Sequence, residues 1–150
     1  EQARDILRKK GLAAASKKIP VFFTPNFSRA MTLMMPLASE AARRLPDYDA
    51  AIVETHNKSK KDAPSGTALR LAQSVRQGRG NDEPVPTSSL RLADVAGEHS
   101  LVFAGDAERL ELFHRSESRD VFARGALEAA LWTASQRPGL YDMLDMMGLK

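Results

Sequence analysis

Residues 50–72 read AAIVETHNKSKKDAPSGTALRLA, and their order of residue types decides the fold class. AAIVETH (50–56) is short, apolar and β-branched, the pattern of a buried strand. A polar loop with Pro64 follows it. Ser65 then stands where a helix N-cap belongs, with Ala68, Leu69, Ala72 and Val75 at helical spacing behind it. Gly78 or Gly80 is the expected stop.

Working outward, a helix is predicted over 3–15, and IPVFFT (19–24) is a second buried strand. Pro25-Asn26 ends it, Ser28 is a candidate cap, and Met31, Met34, Met35, Ala38, Ala41, Ala42 and Leu45 form an apolar helical stripe. These methionines suit core filling, and Pro36 is expected to kink that helix or delay its start. Beyond a Pro- and Ser-rich loop at 81–89, strands are predicted at 89–95, 99–105 and 109–115, the last two joined by a turn at Gly105-Asp106. Their alternation suits a sheet with one wet face. A helix over 119–135 carries Val121, Phe122, Ala126, Leu127, Ala130 and Leu131, and LYDMLDMMGL (140–149) is expected to close the chain as a short helix. The outcome is an α+β domain: a mixed open sheet of about four strands with helices packed mainly on one face.

The chain has 150 residues, 43% of them hydrophobic and 27% charged, which suits a folded protein with a core of ordinary size. It contains no cysteine, so disulfides, thiolate metal sites and cysteine nucleophiles are excluded together. No apolar run approaches the ~20 residues that span a bilayer, and the start lacks a secretory pattern; a cytoplasmic location and no membrane partner are expected. From Asn57 to Gly80 six basic residues face one acid, Asp62. That leaves the segment at +5, and the remainder at −2 within a total of +3. An anionic partner is therefore favoured. No Phe, Tyr or Trp occurs between Tyr48 and Phe103, so bases would find no stacking platform there. A small anion fits better than nucleic acid.

The loop holds the candidate chemistry. A helix N-terminus leaves backbone N–H groups unpaired and favours negative charge. At Ser65, Gly66 and Thr67 a glycine lets an anion come close, and Thr67 adds a hydroxyl donor. Taken alone, those residues read equally as an ordinary capped helix start. Lys60 and Lys61 stand just upstream as cationic anchors, and His56, at a strand end, can give or take a proton near neutral pH. His56, His99 and His114 lack metal-ligand spacing, so no metal is expected. The glycine fingerprint of a dinucleotide site is also absent: Gly78-Arg79-Gly80 follows a helix and has no third glycine.

ETHNKSKKDAPSGTALRLA (54–72) resembles the signature of the 4-hydroxy-tetrahydrodipicolinate reductases, also called dihydrodipicolinate reductases, of the bacterial diaminopimelate route to lysine. The family pattern is roughly E-x-H-H-x-x-K-x-D-A-P-S-G-T-A. TPNFS (24–28), GEHSLVF (97–103), ERLELFHRSESRDVFARGALEAALW (108–132) and GLYDM (139–143) extend the likeness over nearly the whole chain. The resemblance implies a substrate-binding, tetramer-forming domain at 28–150, preceded at 1–27 by the last helix and strand of a Rossmann-type domain for NADPH or NADH. It implies reduction of a cyclic dicarboxylate, with His56 as proton donor or acceptor and Lys60 as second proton donor and substrate contact. By the same resemblance Asn57, Ser65, Gly66 and Thr67 hold substrate, and Thr24, Pro25, Asn26 and Phe27 touch the nicotinamide end of the cofactor. Asn57 replaces the family's second histidine, and Ala30 and Ala93 stand where glycine is common. A non-catalytic module for oligomerisation or dicarboxylate binding is the alternative.

Overall fold

The structure, a computed structural model, describes residues 10–150. The first part of the helix expected over 3–15 lies outside the described residues; residues 10–16 are helical (α1). Then follow β1 (Pro20–Phe22), α2 (Arg29–Arg44), β2 (Asp49–His56), α3 (Gly66–Arg79), β3 (Thr87–Arg91), β4 (Glu98–Ala104), β5 (Arg109–Arg115), α4 (Asp120–Ala134), β6 (Gly139–Tyr141) and α5 (Met143–Met146). They fall into two compact units, one of residues up to 29 together with 120–150, the other of residues 30–119.

In the second unit the sheet order is β3-β2-β4-β5, with β3 parallel to β2 and the other pairs antiparallel. This is the α+β mixed sheet that the alternation predicts. Ala50 and Ile52 of β2 and Leu101 and Phe103 of β4 form one buried cluster with Met31, Met34, Ala38 and Ala42 of α2 and Ala68, Leu71, Ala72 and Val75 of α3. The helices thus cover one face of the sheet, because only alternate strand residues are apolar toward them. On the other face Val53, 39% exposed, and Phe113, 57% exposed, stand uncovered.

The local signals resolve in instructive ways. Pro36 neither delays nor ends α2, which begins at Arg29 and continues to Arg44; the proline removes one helical N–H donor. Gly80, at φ 69, ends α3 by donating to the carbonyls of Arg76 and Gln77. Gly78 lies inside the helix, where an added Cβ would come 2.1 Å from the Ser39 carbonyl oxygen. Its role is close approach to α2, not termination. The third strand sits at 87–91, earlier than the 89–95 expected, because Ile52 pairs with Thr87 and the chain turns out of the sheet after Arg91. In that turn Ala93 holds φ 40, a conformation that favours glycine.

In the first unit β1 and β6 form a two-stranded parallel sheet, Pro20 opposite Gly139 and Phe22 opposite Tyr141. This corrects the single closing helix expected over 140–149. Leu140 and Tyr141 are spent on strand pairing, and Asp142 starts a four-residue helix with a reciprocal capping box to Asp145. In α4, Gly125 and Ala129 are the buried residues, while Leu127 and Leu131 are 68% and 78% exposed. Gly125 has no side chain because an added Cβ would come 2.0 Å from the Phe27 carbonyl oxygen. The broad apolar face expected of α4 is therefore only partly an inner face.

Candidate functional site

Strand β2 alternates burial until its end, where Glu54, Thr55 and His56 are buried in succession. Glu54 continues the inward series of Ala50 and Ile52, so alternation carries a carboxylate onto the covered face of the sheet, where it has no exposed surface. A buried charge persists only when paired and hydrogen-bonded. Glu54 accepts from Arg91 Nη2 at 2.9 Å and from the Ser65 backbone N–H at 3.3 Å through Oε1, and its Oε2 meets His56 Nδ1. Burial pushes the Glu54 carboxyl up, but hydrogen bonds from Arg91, Ser89 and His56 outweigh it and hold the group down at about 2. It is ionised at any physiological pH.

That carboxylate joins the strand end to the start of α3. Ser65 caps the helix with its side chain accepting from the Ala68 N–H at 3.2 Å, and it is 2% exposed. His56 and the first turn of α3, which begins at Gly66, are thereby tied to the two oxygens of one side chain. Lys60 Nζ lies 2.8 Å from Asp62 Oδ1. The Asp62 carboxyl is held below its usual range first by Lys60, then by its own backbone N–H and that of Gly66. Lys60 and the Gly66 amide therefore already converge on one carboxylate, the protein's own. Asn57 is turned into the loop: its Oδ1 accepts from the Ser59 N–H at 3.1 Å and the Ser59 hydroxyl at 2.6 Å.

Three further residues belong to this cluster. Cross-strand register sets Glu54 opposite His99, and His99 opposite His114. The His56 and His99 rings meet edge-on with centroids 5.2 Å apart, and the His99 and His114 rings are 6.0 Å apart. His99 is buried with both ring nitrogens lacking a hydrogen-bond partner, and desolvation, then the nearby His56 and His114, push it down to about 4. Arg91 Nη2 also donates to the Asp62 carbonyl at 2.5 Å, and Nη1 to the Leu90 carbonyl at 2.6 Å. Gly97 borders the His56 ring: at φ 154, an added Cβ would stand 3.2 Å from Nε2. Among the described residues no group of three or more His, Asp or Glu is arranged to hold a metal ion.

His56, Asn57, Lys60, Ser65, Gly66 and Thr67 thus all lie in the second unit, around the β2–α3 connection. Thr24 to Phe27 lie in the first unit, as a turn in which Thr24 Oγ1 donates to the Asn26 carbonyl at 2.9 Å and Asn26 Oδ1 accepts from the Ser28 N–H at 2.8 Å. The sequence reading missed Glu54, Arg91 and His99 as site residues. The available signal was a charged or titratable side chain at an inward-facing strand position, which alternation alone identifies for 54 and 99.

Residues 30–147 match the family model described as dihydrodipicolinate reductase, C-terminus. A 4-hydroxy-tetrahydrodipicolinate reductase of Thiobacillus denitrificans is 44% identical over 158 residues, covering 93% of this chain and 59% of that protein. The one from Zymomonas mobilis is 46% identical over 154 residues, covering 90% and 61%. Among solved structures, the dipicolinate-bound dihydrodipicolinate reductase from Paenisporosarcina sp. TG-14 superposes with a TM-score of 0.73 at 28% identity, over 94% of this chain and 59% of that one. The chain spans about three fifths of the length of the relatives it matches.

Proposed function

The chain belongs to the dihydrodipicolinate reductase family, matching its C-terminal part, and from that premise we propose that it is the substrate-binding half of an NAD(P)H-dependent 4-hydroxy-tetrahydrodipicolinate reductase of lysine biosynthesis. One observation carries the reading. Glu54 bonds both the His56 ring and the N-terminus of α3, so a proton carrier and an anion-binding helix start sit side by side.

In this reading one carboxylate of a cyclic dicarboxylate takes the place of Asp62 against Lys60 and the Gly66 and Thr67 amides, with the Thr67 hydroxyl as a further donor. Asn57 is assigned to the same ligand, although its carbonyl oxygen is engaged by Ser59. His56, with Nδ1 on Glu54, offers Nε2 to the ring, and Lys60 is the second proton donor. NADH or NADPH supplies the hydride. The turn at 24–27 suits a contact to the nicotinamide end: its Thr24 and Asn26 side chains brace the backbone. With no glycine-rich phosphate turn in the sequence, we assign the cofactor's phosphates to residues outside these 150.

We assign residues 1–27 to the end of a nucleotide-binding domain and 28–150 to the substrate-binding and oligomerisation domain; by compactness, residues 120–150 belong to the first unit, with residues up to 29. The uncovered sheet face bearing Val53 and Phe113 favours a homotetramer formed through that face. No described helix is long and apolar enough to cross a membrane, and a cytoplasmic biosynthetic role is part of the proposal. Isothermal calorimetry with pyridine-2,6-dicarboxylate, a planar mimic of the substrate, tests the site. Binding that weakens at least tenfold in Lys60→Ala supports it; a folded sample that binds nothing removes it. Binding without NAD(P)H oxidation in a form carrying a nucleotide-binding domain would favour a non-catalytic module instead.

A further inference from the structure

Glu54 is a carboxylate without exposed surface on a sheet face that is otherwise largely apolar. Such a group is a liability unless something requires it, since a buried ion pair often does no better than apolar side chains of similar volume. Its two oxygens are differently used. Oε1 takes the Arg91 guanidinium and the Ser65 backbone amide, whereas Oε2 meets the His56 ring.

A carboxylate can only accept, so the nitrogen facing it carries the proton whenever His56 is neutral. The other nitrogen, Nε2, then holds the lone pair, and it lies on the side where Gly97 leaves room. His99 does not compete for it: that ring meets His56 edge-on, and neither of its nitrogens forms a hydrogen bond. Arg91 adds a second link, because the nitrogen that holds Glu54 also bonds the Asp62 carbonyl in the loop carrying Lys60.

We propose that Glu54, braced by Arg91, is a positioning residue for His56: it fixes the ring in the Nδ1–H form with Nε2 turned toward the ligand, and through Arg91 it holds the Lys60 loop in register with that ring. This rests on the substrate reading given above, but the geometry of the ring can be tested without any substrate. The low proton affinity of Glu54 is consistent with it, since the carboxylate remains an acceptor throughout.

The test is nitrogen-15 NMR of the histidine rings in the full chain, recorded on the alkaline side of neutrality, for wild type and Glu54→Gln. Glutamine keeps the shape but can donate as well as accept, so the ring loses its single preference. Wild type is expected to show His56 in one form, protonated at Nδ1, and Glu54→Gln a mixture of both tautomers. A lone Arg91 guanidinium could unfold that variant, so Glu54→Gln/Arg91→Gln, which removes both charges, serves as the second sample and is expected to give the same mixture. A folded variant that retains the single wild-type tautomer overturns the proposal, as does a wild type that already shows both. Pyridine-2,6-dicarboxylate is then added to wild type and is expected to move the Nε2 signal more than Nδ1. Failure to bind at this last step counts against the substrate reading alone, because the tautomer result stands without it.

Discussion

Replacing His99 with leucine is expected to remove most of the protein's loss of stability between pH 7 and pH 5. The side chain is 4% exposed and neither ring nitrogen has a hydrogen-bond partner, so charging it in the folded state is opposed by desolvation first, and then by His56 and His114. Glu54 acts the other way, but its charge is shared with Arg91 and His56. The folded protein holds His99 down at about 4, against 6.5 for a free imidazole. A group depressed on folding adds stability above its unfolded value, and that stability is lost as pH falls toward the folded value. The full shift corresponds to about 3 kcal/mol, of which about 2 kcal/mol has gone by pH 5. Glu54 contributes with the same sign but only between 4.5 and about 2, so it does not blur this window. His114, also held down by burial, adds a share of its own that leucine at 99 leaves in place. Urea unfolding at the two pH values measures the difference directly. Leucine has similar volume and leaves no buried polar atom unpaired, so the variant should be no less stable than wild type at pH 7. If His99→Leu loses stability toward pH 5 as steeply as wild type, the buried imidazole is not the source and its neutral state in the cluster is wrong.

Three other perturbations bear on neighbouring parts of the cluster. Asp62→Asn frees Lys60 and the Gly66 amide from an internal carboxylate, and calorimetry should show pyridine-2,6-dicarboxylate binding several-fold more tightly; weaker binding would mean that Asp62 assists the ligand instead of standing in for it. Ala93→Gly relieves a φ of 40 at a non-glycine residue, and denaturant unfolding should show a gain of about 1 kcal/mol. Gly97→Ala places a methyl group 3.2 Å from His56 Nε2 at a backbone angle unsuited to alanine. It should reduce dicarboxylate affinity by more than tenfold while circular dichroism still reports a folded chain, and unchanged affinity would show that Nε2 does not face the ligand.

Much of this arrangement is legible from residue order. The strand at 50–56, the cap at Ser65 and the antiparallel pair from Glu98 to Arg115 follow from alternation and local capping, which are properties of a few adjacent residues. What escaped the sequence depends on pairing across distance. GLY at 139–141 is too short to announce a strand, and only its partner at Pro20–Phe22 makes it one. Leu127 and Leu131 are apolar yet outward, while the inner side of α4 sets Gly125 against the Phe27 carbonyl. At the site, His56, Lys60 and Ser65 to Thr67 are adjacent in the chain and could be grouped at sight. Arg91 could not, since it reaches Glu54 only through the parallel pairing of β3 with β2. The same pairing explains why the parts of the site that hold other side chains in place were harder to see than the parts that face a ligand.

The central claim is that the start of α3, beside His56 and Lys60, is a seat for a small dicarboxylate. Amide proton–nitrogen NMR during titration with pyridine-2,6-dicarboxylate tests it most directly. Saturable shifts of the Gly66 and Thr67 amides, greatly weakened in Lys60→Ala, are expected. Shifts confined to other parts of a folded protein, or none at those two amides, would contradict it.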